Sequence, residues 1–417
     1  MKKSIRFIIV TAIIIAVGLL IFFLGGAKEK PSTQLGDLDK IASGIKNIVY
    51  EEEIPDFERE EISELPDELD KSDCFCIDFR HHDLSDLDLE NYDLLEYATF
   101  DTGTIWPDTL PEDYDPQRIM ELGENPGLGI RALHEEGIDG SGVNIAIIDS
   151  SLLLDHQEYE GRIMSYELIH NLDETAQMHG TCVTSIAVGE NVGVAPGAKV
   201  YYIASTFGNY TENGAEIDIS YMAESIKRVL EINEYLPEEE KIRVISISKG
   251  MDEGEKGYES VVEAIEEAKE QGVFVITCSP EVNYGFSIFG LGRDIFEDPD
   301  MIESYEPGIL QQDWFEQSNG FDTDHVLMIP IDSRTYAFCT GTDAYTFQRQ
   351  GGLSLTAPWL AGVYALCLQV NPDMTETEFI EAAFETGDVV SLSYNYKVYK
   401  FGTIINPEEL VHSLQED

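Results

Sequence analysis

Short runs of β-branched and aliphatic residues recur between residues 143 and 278. The clearest are VNIAII (Val143–Ile148), VYYIA (Val200–Ala204), VISIS (Val244–Ser248) and VFVITC (Val273–Cys278). Continuous apolar runs of this length are typical of strands buried on both faces of a parallel sheet. We therefore expect a central sheet built from these segments.

Between the runs lie stretches with helical periodicity, at Tyr221–Asn233 and at Tyr258–Gln271. In the second, apolar residues form one stripe and glutamates fill the opposite face, and Gly272 ends the pattern. Strands that alternate with helices predict an α/β fold with a mainly parallel sheet covered on both sides. In such sheets the functional residues collect at the carboxyl ends of the strands.

The amino terminus has a different pattern. After Lys2, Lys3 and Arg6 comes the uncharged run FIIVTAIIIAVGLLIFFLGGA (Phe7–Ala27). This run is long enough to cross a hydrocarbon core of about 30 Å as a helix. We assign residues 1–28 to a signal anchor, with a cleaved signal as the alternative because the run ends in small residues. We expect a single-pass protein of the cell membrane whose remaining residues lie outside the cytoplasm.

Residues 29–114 are acidic and contain few long apolar runs, as in EEEIPDFEREEISELPDELDKSD. This composition predicts an acidic stalk or a pro-region. Pro107, Pro111 and Pro116 mark a linker around the carboxyl end of this region. The α/β pattern begins after it, so residues 115–417 are predicted to form the main domain.

Within the acidic region Leu84, Leu89 and Leu94 recur at a spacing of five. The spacing resembles a fragment of pentapeptide repeat, in which one leucine points inward on each side of a square coil. Three copies do not complete one coil. We therefore interpret the spacing as coincidental, within an extended segment.

The charge is extreme, because 80 acidic and 26 basic residues give a formal net charge of −54. Such a field repels phosphate backbones, so no nucleic-acid partner is expected. It suits cationic substrates or a saline exterior, and a well-solvated surface is the simplest interpretation.

The six cysteines are too few for a disulfide scaffold in 417 residues. Cys74 and Cys76 lie near His81 and His82, but no second pair at zinc-binding spacing accompanies them. We therefore predict no metal site.

Three segments carry residues suited to catalysis. Asp149 ends a predicted buried strand, His179 meets a glycine at a predicted helix start, and Ser354 precedes the apolar helix that ends near Val370. Singly, each has an ordinary interpretation: a turn aspartate, a structural histidine and an N-capping serine. Their joint occurrence is far more specific.

Together the segments resemble the subtilisin-like serine protease family, whose motifs are D-[ST]-G, H-G-T-H-V-A-G and G-T-S-M-A-x-P-H-V-A-G. The order aspartate, histidine, serine is the order of that family. Gly193–Ala198 (GVAPGA) is similar to its G-V-A-P-x-A segment. NPGLGIRALHEEGIDGSGV and FGLGRD resemble a clostridial-type, membrane-anchored branch. The resemblance implies a three-layer α/β/α subtilisin-like fold.

The resemblance also implies roles for individual residues. Ser354 would attack the scissile carbonyl, His179 would accept its proton, and Asp149 would orient the imidazole. The backbone at Ser248, Lys249 and Gly250 would pair with the substrate as an added strand. No cofactor is required for this chemistry. Structural calcium is known in the family, but no loop in this sequence has clear ligand spacing.

The chain departs from the family's pattern at several positions. Ser150 and Ser151 follow Asp149 without the expected glycine. Cys182, Ser185 and Trp359 replace a histidine, a glycine and a second histidine, respectively.

The family's oxyanion asparagine, within A-A-G-N, is also missing, because the matching stretch Thr277–Glu281 (TCSPE) places a glutamate there. We predict that Asn283 supplies the second oxyanion donor instead.

The sequence thus predicts a membrane-tethered serine endopeptidase that hydrolyses peptides or proteins through an acyl-enzyme. The alternative is a catalytically silent subtilisin-like domain that binds peptides or partner proteins. The complete set of three catalytic residues favours the enzyme, and the missing asparagine favours the silent domain.

Overall fold

The structure is a computed structural model that describes residues 54–55, 60–62, 64–69, 75–211, 214–320 and 324–415. The predicted membrane anchor Phe7–Ala27, most of the acidic region before residue 75, and Cys74 lie outside the described residues. One described helical stretch, Leu353–Val370, has the length and hydropathy to cross a membrane, but 78% of it is buried within the domain.

The strands of the described part of the chain are, in chain order, β1 (Glu60–Glu61), β2 (Ile77–Asp78), β3 (His82–Asp83), β4 (Ala98–Asp101), β5 (Asn144–Asp149), β6 (Ile163–Ile169), β7 (Lys199–Ser205), β8 (Gly208–Thr211), β9 (Gly214–Ile217), β10 (Ile242–Ile247), β11 (Phe274–Thr277), β12 (Ser287–Arg293), β13 (Tyr305–Pro307), β14 (Val326–Pro330), β15 (Arg334–Ala337), β16 (Tyr345–Gln348), β17 (Asp388–Tyr394) and β18 (Lys397–Ile404).

The α-helices of the same residues are α1 (Pro116–Glu124), α2 (Ile130–Glu135), α3 (Met178–Val188), α4 (Ser220–Tyr235), α5 (Tyr258–Glu270), α6 (Glu281–Tyr284), α7 (Gln312–Ser318), α8 (Thr356–Val370), α9 (Glu376–Thr386) and α10 (Pro407–Ser413). Short 3-10 turns lie at Leu95–Tyr97, Glu238–Glu240, Ile302–Ser304, Ile309–Gln311 and Leu353–Leu355.

The central sheet has the order β11-β10-β5-β7-β6, and every pairing in it is parallel. The four apolar runs identified in the sequence form β5, β7, β10 and β11, each within two residues of the predicted bounds. The predicted α/β fold with a parallel sheet is therefore confirmed.

Both faces of this sheet are buried, and adjacent residues of β5 enter different cores. Ile145 and Ile147 belong to the core formed with α3 and α8, whereas Ala146 and Ile148 belong to the core formed with α4 and α5. Side chains alternate across a strand, so a continuous apolar run is required when helices cover both faces. The result is an α/β/α arrangement.

A second five-stranded sheet, β13-β12-β14-β18-β17, and a four-stranded sheet, β15-β16-β4-β2, complete the domain. The four-stranded sheet joins distant parts of the chain, because β4 pairs with β16, just before the segment that carries Ser354. Residues 75–106 are therefore folded onto the domain and do not form an extended stalk. The division of the chain at residue 115 stays a prediction.

The leucines spaced by five form one turn of a coil, which we name the leucine coil (residues 77–105). Backbone N–H groups of His82, Leu87, Tyr92 and Tyr97 each bond the carbonyl three residues earlier, so a turn recurs every five residues. The chain then returns beside itself, with β2 parallel to β4 and Asp83 bridged to Ile105.

Our interpretation of the spacing as coincidental was wrong. Leu84 and Leu89 are fully buried and Leu94 is partly buried, in a core that also contains Phe100 and Phe347. The coil is completed by β4. The three leucine-centred pentapeptides do not include this strand, so their spacing alone does not predict the completed coil.

We predict that Leu89→Ala lowers the free energy of unfolding by about 2–5 kcal/mol, because it removes a fully buried leucine side chain from a packed core. Urea unfolding of the purified chain measures the change. Val398→Ala is the control, since this side chain is 72% exposed and its removal should cost less than about 0.5 kcal/mol. Equal, small effects of both substitutions would show that the leucine coil is not packed.

Candidate active site

The candidate site lies where the carboxyl ends of three neighbouring parallel strands meet. Asp149 is the last residue of β5, Ser248 follows β10, and Cys278 follows β11. Parallel strands place such residues at one edge of the sheet, so the topology accounts for their proximity.

Asp149 and His179 are joined by a hydrogen bond of 2.7 Å between Asp149 Oδ1 and His179 Nδ1. The Asp149 carboxylate is buried, and the same oxygen also accepts the backbone N–H of Ser150 at 2.8 Å. The imidazole is held at Nδ1, while its side chain is 40% exposed. The ring is therefore oriented by the protein but still accessible from outside.

The charge environment of His179 alters its pKa. Burial alone lowers the pKa of His179, but the charge of the Asp149 carboxylate and its hydrogen bond outweigh burial. The pKa of His179 is consequently raised above its ordinary value of 6.5.

The helix α3 that carries His179 approaches the end of β5 very closely at Gly180. The backbone N–H of Gly180 donates to Ser150 Oγ at 3.1 Å, and a Cβ at Gly180 would collide with the carbonyl oxygen of Ser150. Glycine is thus required after the histidine, because a side chain there would separate His179 from Asp149.

Ser354 occupies the 3-10 turn Leu353–Leu355, which contacts α3 and leads into α8. The amino end of α8 presents unpaired N–H groups and a favourable dipole for negative charge. The Ser354 hydroxyl donates to the carbonyl oxygen of Ser248 at 3.4 Å, and Ser248 Oγ donates to the carbonyl oxygen of Ser354 at 2.7 Å. The Ser354 hydroxyl is thus bonded to the strand edge and, in the described structure, not to His179.

The predicted substrate-binding residues fall into two groups. Ser248 is bonded directly to Ser354, as above. In contrast, the Lys249 ammonium lies 2.8 Å from Glu255 Oε1 and is only 15% exposed, so it is engaged within the domain. Gly250 packs against the loop after β11, where a Cβ would lie 2.9 Å from Ser279 Oγ.

Asn283 is not brought to Ser354. It lies on α6, and its amide nitrogen donates to Glu266 Oε1 of α5 at 2.9 Å. In this arrangement the Asn283 amide points to a neighbouring helix, which corrects our expectation that it serves as the oxyanion donor. The register that suggested Asn283 did not account for α6, which turns the loop after Pro280 toward α5.

Two residues of the site were missed by the sequence analysis. Ser150 links Asp149 to the start of α3, through the bonds described above. The thiol of Cys278, at the end of the apolar run Val273–Cys278, donates to the carbonyl oxygen of Leu353 at 3.3 Å. Burial raises the pKa of Cys278 to about 12, so it is a thiol and not a thiolate. Its position directly after a central strand was the signal that could have revealed it.

The backbone of Gly351, three residues before Ser354, packs closely against a neighbouring segment. A Cβ at Gly351 would collide with the carbonyl oxygen of Ile331, and the Gly351 N–H donates to the buried Asp332 carboxylate at 2.8 Å. Gly351 is therefore needed for close packing of the chain.

The described residues contain no group of three or more His, Cys, Asp or Glu side chains placed to hold a metal ion. In the cluster weighed from the sequence, Cys76 donates to Gln350 and His81 pairs with Asp101 at 2.9 Å.

Residues 140–285 match the sequence profile of the Subtilase family. The match includes Asp149 and His179 and ends before Ser354. Curated proteins are also similar to parts of the chain. Subtilisin-like protease PopC of Myxococcus xanthus (strain DK1622) is 32% identical over 95 residues, which are 20% of this chain and 20% of that protein.

Serine protease AprX of Bacillus subtilis (strain 168) is 26% identical over 283 residues, which are 58% of this chain and 61% of that protein. The chain thus spans less than two thirds of the length of these curated relatives. Among solved structures, the A-subunit of the AB5 toxin from E. coli is similar with a TM-score of 0.50 and 14% identity, over 70% of this chain and 98% of that chain.

At 14% identity this structural similarity supports the fold alone. It agrees with the parallel sheet and its two helical layers. The sequence similarity to the Subtilase family is limited to residues 140–285. The described domain therefore has a subtilisin-like α/β fold, and its central segment is similar to the Subtilase family.

Proposed function

We propose that the chain is a serine endopeptidase that uses Ser354 as nucleophile, His179 as general base and Asp149 to orient the imidazole. The observation that carries the proposal is the hydrogen bond between Asp149 and His179, at the strand edge that also holds Ser354, in a domain with a subtilisin-like fold. The Asp149–His179 bond supports the roles proposed for these two residues, and the location of Ser354 beside Ser248 supports its choice as nucleophile.

The proposed reaction follows from these positions. His179 Nε2, the nitrogen not bonded to Asp149, accepts the Ser354 proton as Ser354 Oγ attacks the scissile carbonyl. The imidazolium is stabilised by the buried Asp149 carboxylate, and it then protonates the leaving amine. Water hydrolyses the acyl-enzyme in the second half of the cycle. The backbone N–H of Ser354, at the amino end of α8, is the first proposed oxyanion donor.

The proposed substrate is a peptide or protein segment that lies in extended form along residues Ser248–Gly250. For catalysis the Ser354 hydroxyl must exchange its contact with the Ser248 carbonyl for one with His179. Ser248 Oγ also donates to the backbone carbonyl oxygen of Ser354 at 2.7 Å, which holds the backbone of this turn.

A catalytically silent, peptide-binding domain is the second candidate. It is favoured by Glu281 at the position of the family's asparagine and by the engagement of Asn283 with Glu266. Loss of one oxyanion donor in a subtilisin costs roughly 10²–10³ in turnover, so its absence slows catalysis without abolishing it. A slow enzyme therefore fits the site better than an inert one.

We predict that a fluorophosphonate probe labels the detergent-solubilised chain and that Ser354→Ala abolishes labelling. Peptidase activity should fall by roughly six orders of magnitude, the size that loss of the nucleophile has in a subtilisin. Ser393→Ala, at an exposed serine of β17, is the control and should be labelled normally. An unlabelled wild-type chain would favour the silent domain, and labelled Ser354→Ala would assign the nucleophile elsewhere.

The raised pKa of His179 predicts the pH dependence of labelling. A general base must be unprotonated, so the labelling rate should fall as pH decreases through an apparent pKa above 6.5. Asp149→Asn removes the carboxylate charge that raises this pKa, and should move the acid limb to lower pH in addition to reducing the rate by about 10⁴-fold.

The pH control is His412→Gln. A hydrogen bond to Glu136 also raises the pKa of His412, but this residue lies on α10. The acid limb should not change in His412→Gln. An acid limb that stays in place in Asp149→Asn would mean that His179 is not the titrating base.

The location of the domain is a further part of the proposal. The basic start of the chain and the uncharged run Phe7–Ala27 support a single-pass anchor with the peptidase domain outside the cytoplasm. We predict that protease added to intact cells digests the domain. Protection in intact cells that is lost on lysis would place the domain inside.

A further inference from the structure

The leucine coil is built into the same sheet as the segment that leads to Ser354. Strand β16 lies between β15 and β4, and Phe347 of β16 is paired with Phe100 of β4. The contact continues at the end of β4, where the N–H of Thr102 donates to the carbonyl oxygen of Tyr345 at 2.9 Å. One of the two strands that neighbour β16 is therefore supplied by residues 75–106, which we call the amino-terminal region.

The contacts continue beyond β16 toward the nucleophile. The backbone N–H of Arg349 donates to Thr99 Oγ1 at 3.2 Å, and its side-chain Nε donates to the carbonyl oxygen of Glu96 at 3.0 Å.

The next two residues are also fixed by contacts. Cys76 Sγ lies 3.0 Å from Gln350 Oε1. The backbone N–H of Gly351, three residues before Ser354, donates to the Asp332 carboxylate. Successive residues of this segment are therefore fixed up to the turn that carries the nucleophile.

These contacts are buried. Thr99, Phe100, Phe347 and Gln350 are each at most 1% exposed, and Arg349 is 7% exposed. Removing the leucine coil would expose apolar rings and leave the backbone N–H and the Nε of Arg349 without these protein acceptors. A buried donor without an acceptor is costly, so the segment would not keep its position alone.

The amino-terminal region also touches the segment that carries the proposed general base. The Arg80 guanidinium lies over the ring of Phe75, 3.6 Å from its centroid, and Arg80 Nη1 lies 3.0 Å from Met178 Sδ. Met178 directly precedes His179. The same short region therefore contacts two of the three chain segments that provide catalytic residues under the proposed function.

We propose that residues 75–106 are a permanent part of the peptidase domain, which positions the segment 345–352 and so the Ser354 turn, and that any removal of a pro-region ends before Phe75. This inference rests on the proposed function. A pro-region that is removed covers the active site from outside, and the site stays structurally complete after the removal. In this chain the region supplies an inner strand of a sheet and two hydrogen-bond acceptors of a buried arginine.

The first test cuts the full chain after the coil. A recognition sequence for a site-specific protease is inserted between Asp108 and Thr109, which are both exposed. After cleavage we expect both fragments to elute together in size exclusion and Ser354 to be labelled by the fluorophosphonate at the rate of the uncut chain. Separated fragments with labelling lost would also support the proposal, because the coil would then be required.

Two results of this test would overturn the proposal. One is separated fragments with labelling retained or increased, which is the behaviour of a removable pro-region. The other is loss of labelling while the fragments stay together. An uncut chain that is not labelled would instead contradict the proposed function, so the two failures are distinguishable.

The second test uses point variants of the intact chain. Thr99→Val keeps the shape of the side chain but removes the acceptor of the Arg349 N–H, and we expect it to lower the labelling rate by about tenfold or more. Thr99→Ser keeps the hydroxyl and should restore most of the rate. Such rescue is not expected of a substitution that acts only through side-chain volume.

The matched control is Thr346→Val in β16. Thr346 Oγ1 is buried and has no hydrogen-bond partner among the described residues, so this isosteric change removes no bond. Labelling is compared at a temperature where near-UV circular dichroism shows all variants folded. Unchanged labelling in Thr99→Val, or an equal loss in Thr346→Val, would overturn the proposal. If Thr99→Val does not fold, the cleaved chain decides.

Discussion

The site depends on one physical constraint, which is that a buried carboxylate must be hydrogen-bonded. Asp149 ends a central strand with only 5% of its surface exposed, so its charge has to be stabilised by nearby donors. The N–H of Ser150 and the imidazole of His179 meet this need. The second donor requires α3 to approach β5 closely, and only glycine at position 180 allows that approach.

The sequence was sufficient for the central sheet because the information there is local. Strands buried on both faces read as continuous apolar runs, and the order of aspartate, histidine and serine identified the residues at one edge. The leucine coil was misjudged because its closure needs β4 and β16, whose pairing joins opposite ends of the domain. Asn283 was misjudged because its side-chain direction follows from the packing of α6 against α5, which a register comparison with a family motif does not contain.

The departures from the family's motifs have packing partners of their own. Ser185 Oγ donates to the carbonyl oxygen of Cys182 and accepts the N–H of Ala337 at 3.0 Å. Trp359, which replaces a histidine, is fully buried, and its indole N–H donates to the carbonyl oxygen of Pro126 at 3.0 Å. These substitutions connect α3 and α8 to neighbouring parts of the domain and leave the bond between Asp149 and His179 intact.

The bond between Arg349 and Thr99 has a consequence for the order of events during synthesis. Its partners are 250 residues apart along the chain, so the leucine coil leaves the ribosome long before its partner strand exists. Contacts of such large sequence separation form slowly, and exposed apolar side chains are prone to aggregation in the meantime. Strand β4 therefore lacks its partner β16 until most of the chain has been synthesised, and its unpaired edge is a site for wrong pairing during that time.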